Sequence, residues 1–129
     1  MTFDWKDLIE VSRFLEQHAS TSGNQEAFLR SAVSRAYYGA FCHARNYARD
    51  KLDFRPRNDA DDHGWLHARL KKGKLQGLSV KLERLREWRN GCDYDDQLAF
   101  DPREILKLAI VQAANLIASL STGPSPSES

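Results

Sequence analysis

With 129 residues, 41% hydrophobic and 29% charged, the chain has material for one moderate globular core. Its formal net charge of +1 conceals a strong segregation of charge along the chain, which suits self-association or an anionic ligand. Two cysteines, Cys42 and Cys92, are too few for a disulfide framework or a cysteine-based zinc site.

The N-terminus, Met1-Thr2-Phe3-Asp4-Trp5, has neither the basic start nor the apolar stretch of a signal peptide. No apolar run approaches the roughly 20 residues of a membrane span, so a cytoplasmic protein without a membrane role is expected. The first helix is expected to open with Asp4 as N-cap, Asp7 at the third helical position and Phe3 stapled to Leu8. Trp5, Leu8, Ser12 and Leu15 form its inner stripe, and residues 20–23 close it.

A long second helix, from about Asn24 to Lys51, carries Leu29, Val33, Ala36, Ala40, Ala44 and Tyr47 on one side. Ala32, Ala36, Gly39, Ala40 and Ala44 make it slim, so neighbouring backbones can come close. On the same helix Arg35, Tyr38, Cys42, Arg45 and Arg49 recur at three and four, a cationic stripe with one aromatic. Guanidinium forks on one face suit phosphates or carboxylates; alternatively they pair with the acidic residues 93–96, within the bundle or across a dimer.

Pro56 and the polar residues 55–61 mark a loop. A third helix starts near Asp61 or Asp62 and breaks around Gly73. His63 and His67, at i and i+4, could seat a metal, but Gly64 occupies the glutamate position of the zinc-helix signature. They read instead as a hydrogen-bonding device at the helix start; no metal and no cofactor are expected.

The fourth helix is expected from Leu75 to Asn90, stopped by Gly91. Leu75, Leu78, Leu82, Leu85 and Arg89 follow at three, four, three and four, so a permanent cation ends a packed leucine seam. A guanidinium so placed needs a hydrogen-bonded partner. Basic residues crowd positions 69–89, and Asp93, Asp95, Asp96 and Asp101 follow at once. Cys92, beside two aspartates, reads as an inert thiol with a raised pKa. The last helix has Asp101 as cap, Pro102 at its first position and Glu104 at its third, with Leu106, Ile110, Ala113, Ile117 and Leu120 inward, widened by Ile105, Leu108 and Leu116. Residues 121–129, rich in Ser and Pro, read as a disordered tail. The sum is an all-α fold, one domain over residues 1–120, built as an antiparallel bundle of four to five helices.

Ser34-Arg35-Ala36-Tyr37-Tyr38-Gly39-Ala40-Phe41 resembles the Ser-Arg-x-Tyr-Tyr-Ala-x-Phe motif of the HEPN superfamily. Leu85-Arg86-Glu87-Trp88-Arg89-Asn90-Gly91-Cys92-Asp93-Tyr94-Asp95 is similar to its second conserved segment, and Asp62-His63-Gly64 also has a family look. The resemblance, over residues 24–120, implies a helical bundle that usually dimerises. It also implies either a metal-independent endoribonuclease with its site at the dimer interface or a partner of a small nucleotidyltransferase in toxin–antitoxin and defence systems. The family's nuclease motif is arginine, a polar residue, then histidine, with four to six positions between arginine and histidine. Arg89 and Asn90 match; the histidine does not, since Tyr94, Asp95 and Asp96 stand there.

Metal-free RNA cleavage needs a proton acceptor, a proton donor and cationic support. Tyrosine, with a pKa near 10, is a poor base at neutral pH. The leading expectation is therefore a homodimeric module that binds RNA or a nucleotide through Arg35, Tyr38, Arg45, Arg89, Asn90 and Asp93. The alternatives are an active ribonuclease using Arg89, Asn90 and Tyr94, and a structural adaptor with Arg89 in a salt bridge to Asp93 or Asp95.

Overall fold

A computed structural model describes residues 2–121, and among these the regular structure is helical with no strand. Five α-helices, α1 (Asp7–His18), α2 (Gln25–Lys51), α3 (Asp62–Lys72), α4 (Gln76–Tyr94) and α5 (Pro102–Ser121), pack into an all-α bundle. A 3-10 turn, Ala19–Thr21, ends the first of them. The expected tail from 122 to 129 lies outside the described residues; Ser121, assigned to it, is the last residue of α5.

Helix α2 is the axis, because its small residues let α1, α4 and α5 lie against it together. Ala32, Ala36, Ala40, Ala44 and Ala48 are fully buried. At Gly39 a Cβ would stand 3.1 Å from the carbonyl oxygen of Trp5 and from Ile9 Cδ1, so the approach of α1 requires glycine there. Ser12 of α1 is buried at the same contact and donates to the carbonyl of Ala32. Leu82 and Leu85 of α4 and Leu106, Leu116 and Val33 are fully buried, so the leucine seam packs as its spacing predicts.

Helix α5 is long and apolar enough to cross a membrane by length and composition, which the sequence, with no unbroken apolar run of that length, does not announce. In this structure Leu106, Ile110, Ala113, Leu116, Ile117 and Leu120 are buried against α2, α4 and α1, the placement of a core helix. Its start is as expected: Asp101 accepts the amide of Arg103 at 2.9 Å, and Pro102 opens the helix.

Two helix ends differ from expectation. α1 begins at Asp7, not after Asp4. Asp4 closes a preceding turn, its carbonyl accepting from Asp7 N at 3.0 Å and its carboxylate from Lys6 N at 3.2 Å. Phe3 lies edge-on against Trp5, ring centroids 4.8 Å apart. The second difference concerns Gly91. It does not stop α4, which continues to Tyr94 and ends where Asp95 turns extended, at φ −86° and ψ 129°. Gly91 is buried, and a Cβ on it would stand a tight 3.3 Å from the Phe100 ring. Packing, not chain reversal, selects glycine here.

Candidate functional site

Arg89 stands on the inner side of α4, facing Tyr37 and Tyr38 of α2, with a side chain only 17% exposed. Its Nη2 donates to the Tyr38 hydroxyl, and Nη1 donates to Asn90 Oδ1 at 2.9 Å. Nε is 2.8 Å from Asp93 Oδ2, one turn along; the contact is an ion pair whose N–H is not aimed at the oxygen. Asp93 also accepts from the Ser34 hydroxyl at 3.3 Å. The exposed Tyr94 ring lies 5.5 Å from the guanidinium carbon. The two segments singled out in the sequence, on α2 and on α4, are thus in direct contact.

Tyr38 links this corner to a groove. The Arg35 guanidinium lies 5.1 Å from the Tyr38 centroid, and the Arg45 guanidinium 5.5 Å from that of Trp5. Trp5, Arg35, Tyr38, Cys42, Arg45, Asn58, Asp59 and Asp62 are among the residues that line an open groove of about 460 Å³. Neither arginine forms an ion pair among the described residues; Arg45 only donates to Asn46 Oδ1 at 3.1 Å. The aspartates of this groove are committed elsewhere. Asp62 accepts the backbone amides of Arg57 and Asn58, at 2.9 and 2.7 Å, and Asp59 accepts that of Asp61 at 3.0 Å. Arg49, expected to extend the stripe, pairs with Asp50 in solvent.

The acidic segment after α4 does not bind Arg35. Arg30, one turn earlier on α2, holds it through backbone carbonyls: Cys92 O at 3.3 Å, Asp95 O at 2.5 Å and Asp96 O at 3.2 Å. These carbonyls at a helix C-terminus are the ones left without internal partners, and a cation suits them. Sequence reasoning missed Arg30, since its partners are main-chain atoms that no residue type announces. Cys92 is buried and its thiol pushed up to about 11, by burial first, then by Asp93 against the opposing charge of Arg30.

The histidines do not serve the start of α3. His63 spans three helices, its Nδ1 2.8 Å from the Tyr37 hydroxyl and its Nε2 2.9 Å from Glu83 Oε2. Burial lowers the pKa of His63 against the pull of Glu83, so the ring is neutral at pH 7. A neutral ring fits one proton arrangement: Tyr37 donates to Nδ1, and Nε2–H donates to the carboxylate. Burial likewise raises Tyr37 above the ordinary phenol value, against the nearby Arg89, so it keeps its proton. His67 turns Nδ1 to the Ser79 hydroxyl on α4. Among the described residues no group of three His, Cys, Asp or Glu side chains is placed to hold an ion.

No family model matches the chain, and no curated protein or solved structure matches it.

Proposed function

We propose that the chain is a HEPN-type helical module, homodimeric and cytoplasmic, that binds RNA or a nucleotide. In this reading it works beside a nucleotidyltransferase-type partner of a toxin–antitoxin or defence system. One observation carries the binding: Arg35 and Arg45 line one open groove without ion-pair partners among the described residues, each against an aromatic ring. Guanidinium groups held over aromatic faces and left unneutralised favour phosphate oxygens, and the rings offer surfaces for a base. The contact between the α2 and α4 segments supports the family reading, because the residues that carry the resemblance meet at Ser34–Asp93 and Tyr38–Arg89.

Binding is favoured over cleavage. Tyr94 stands near Arg89 where the family's histidine is expected, and the nearby His63 does not replace it. That ring is buried and both its nitrogens are engaged. The test is fluorescence anisotropy with a labelled RNA oligonucleotide at several salt concentrations, together with an RNA-cleavage assay in EDTA. Affinity should fall with salt, and Arg35→Ala and Arg45→Ala should each weaken it, while the RNA stays intact. A flat salt response would remove the binding reading; EDTA-resistant cleavage abolished by Arg89→Ala would install the nuclease reading.

A second reading has its own observation. Arg89 engages Asp93, Asn90 and Tyr38 at once, the arrangement of a cation that locks α4 to α2 rather than waiting for a ligand. In that structural-adaptor reading Arg89→Ala lowers stability and leaves RNA affinity unchanged.

A further inference from the structure

A second groove, on the other side of the loop at residues 55–61, has the composition of a strand-binding surface. Helix α3 presents Trp65, Arg69 and Lys72 at spacings of four and three, and the loop brings Arg55 and Arg57 over the same face. With Phe54 these residues line an open groove of about 280 Å³. Trp65 is 53% exposed, and the Arg57 guanidinium lies 5.5 Å from its ring centroid. None of the four cations makes an ion pair among the described residues. Cations in the last turn of α3 are explained in part by the helix dipole. Arg55 and Arg57 are not, because they come from the loop: Arg57 lies over the indole and Arg55 lines the same groove.

We infer that this groove is a subsite for a single-stranded nucleic acid, with a base stacked on Trp65 and flanking phosphates on Arg55, Arg57, Arg69 and Lys72. A large π-face bordered by unpaired cations binds any base and tracks the backbone beside it, whereas an acidic peptide would use the charges and leave the indole idle. The loop gives Arg55 and Arg57 to this groove and Asn58 and Asp59 to the groove of Arg35 and Arg45, so one strand can pass from one to the other across it. The inference rests on the reading that the chain binds RNA, and it names the form of that RNA.

The experiment is anisotropy titration of the full chain with a fluorescein-labelled 12-nucleotide oligouridylate, with a duplex RNA of the same length as comparison. The oligouridylate should bind more tightly than the duplex. Trp65→Ala should weaken it roughly tenfold, the effect of losing one stacked base, while Trp65→Phe retains most of the affinity. Arg69→Gln with Lys72→Gln should reduce the salt slope by about 0.7 for each phosphate no longer neutralised. Circular dichroism checks that each variant is folded; Trp65 is exposed, so its replacement leaves the core intact. Unchanged binding by Trp65→Ala while Arg35→Ala weakens it would overturn this inference and leave the first groove standing. Loss with Trp65→Ala but not with Arg35→Ala or Arg45→Ala would do the reverse. Displacement by polyglutamate as effective as by unlabelled oligouridylate would show a general anion surface and also overturn it.

Discussion

The guanidinium of Arg89 reaches from α4 to donate to the hydroxyl of Tyr38 on α2, while its Nε holds Asp93 2.8 Å away. One cation therefore joins α4 to α2 and braces the last turn of α4. Arg89→Ala should cost about 1–3 kcal/mol in urea unfolding, because Tyr38 and Asp93 are left without their charged partner in a half-buried setting. Arg89→Lys should recover little, since an ammonium cannot serve Tyr38, Asn90 and Asp93 together. A stability loss under about 0.5 kcal/mol for Arg89→Ala, on the order of a surface substitution, would show that the guanidinium is not a fastening.

The Tyr37–His63–Glu83 bridge makes stability depend on pH. Burial holds His63 below the ordinary value of 6.5, so below that pH the unfolded chain takes up a proton that the folded ring refuses. Stability should fall as pH drops from 6.5 towards the folded pKa and stay level above. Burial works against the Glu83 carboxylate, but the hydrogen bond from His63 and the charge of Arg86 outweigh it and hold its pKa below 4.5. Its contribution is present above that value and is lost as pH falls through its folded pKa. His43, also held down by burial, adds to the same fall below pH 6.5. Melting temperatures measured from about pH 5 to 8 should thus show a shallower decline for His63→Gln than for the wild type. Identical slopes would mean that His63 is as protonated in the fold as out of it.

Arg30 clamps the carbonyls that leave α4. Arg30→Ala should free residues 95–99 and speed amide exchange there, with a stability cost of about 1–3 kcal/mol for hydrogen bonds to a charged group. Exchange confined to its wild-type rate would show that Phe100 and Leu98 alone hold the segment.

The glycines should divide by what surrounds them. Gly39→Ala places a methyl 3.1 Å from the Trp5 carbonyl oxygen and should cost about 1–3 kcal/mol as α1 is pushed away. Gly64→Ala meets nothing within 4 Å in a helix and should stabilise by up to about 1 kcal/mol. Thermal unfolding of the two single variants checks the contrast, and shifts of the same sign would contradict it.

Much of this molecule is legible in its spacing. The recurrence of Leu78, Leu82 and Leu85 and of Leu106, Ile110, Ala113 and Ile117 places two core helices, since a period near 3.6 puts those residues on one side whatever they meet. The alanine and glycine run of α2 marks the slim central helix, and Asp101-Pro102 marks the start of α5. At the candidate site, Arg89 turning inward follows from its place at the end of the leucine seam. Its partners do not. Tyr38 lies 51 positions away in sequence, and only the packing of α4 on α2 brings them together. Gly91 is misleading for a related reason: a glycine beside a helix end looks like a stop signal until the Phe100 ring is seen packed close over it.

By itself, then, the order of residues determined the helical class, the inward face of each long helix and the inward placement of Arg89, because those depend on contacts within a few positions. The tertiary structure decided what the polar groups do. It gave Arg30 to main-chain carbonyls, shut His63 between Tyr37 and Glu83, and left Arg35, Arg45 and the cations around Trp65 without carboxylates. Such choices depend on distances between side chains on different helices, set only once the apolar faces have closed on one another.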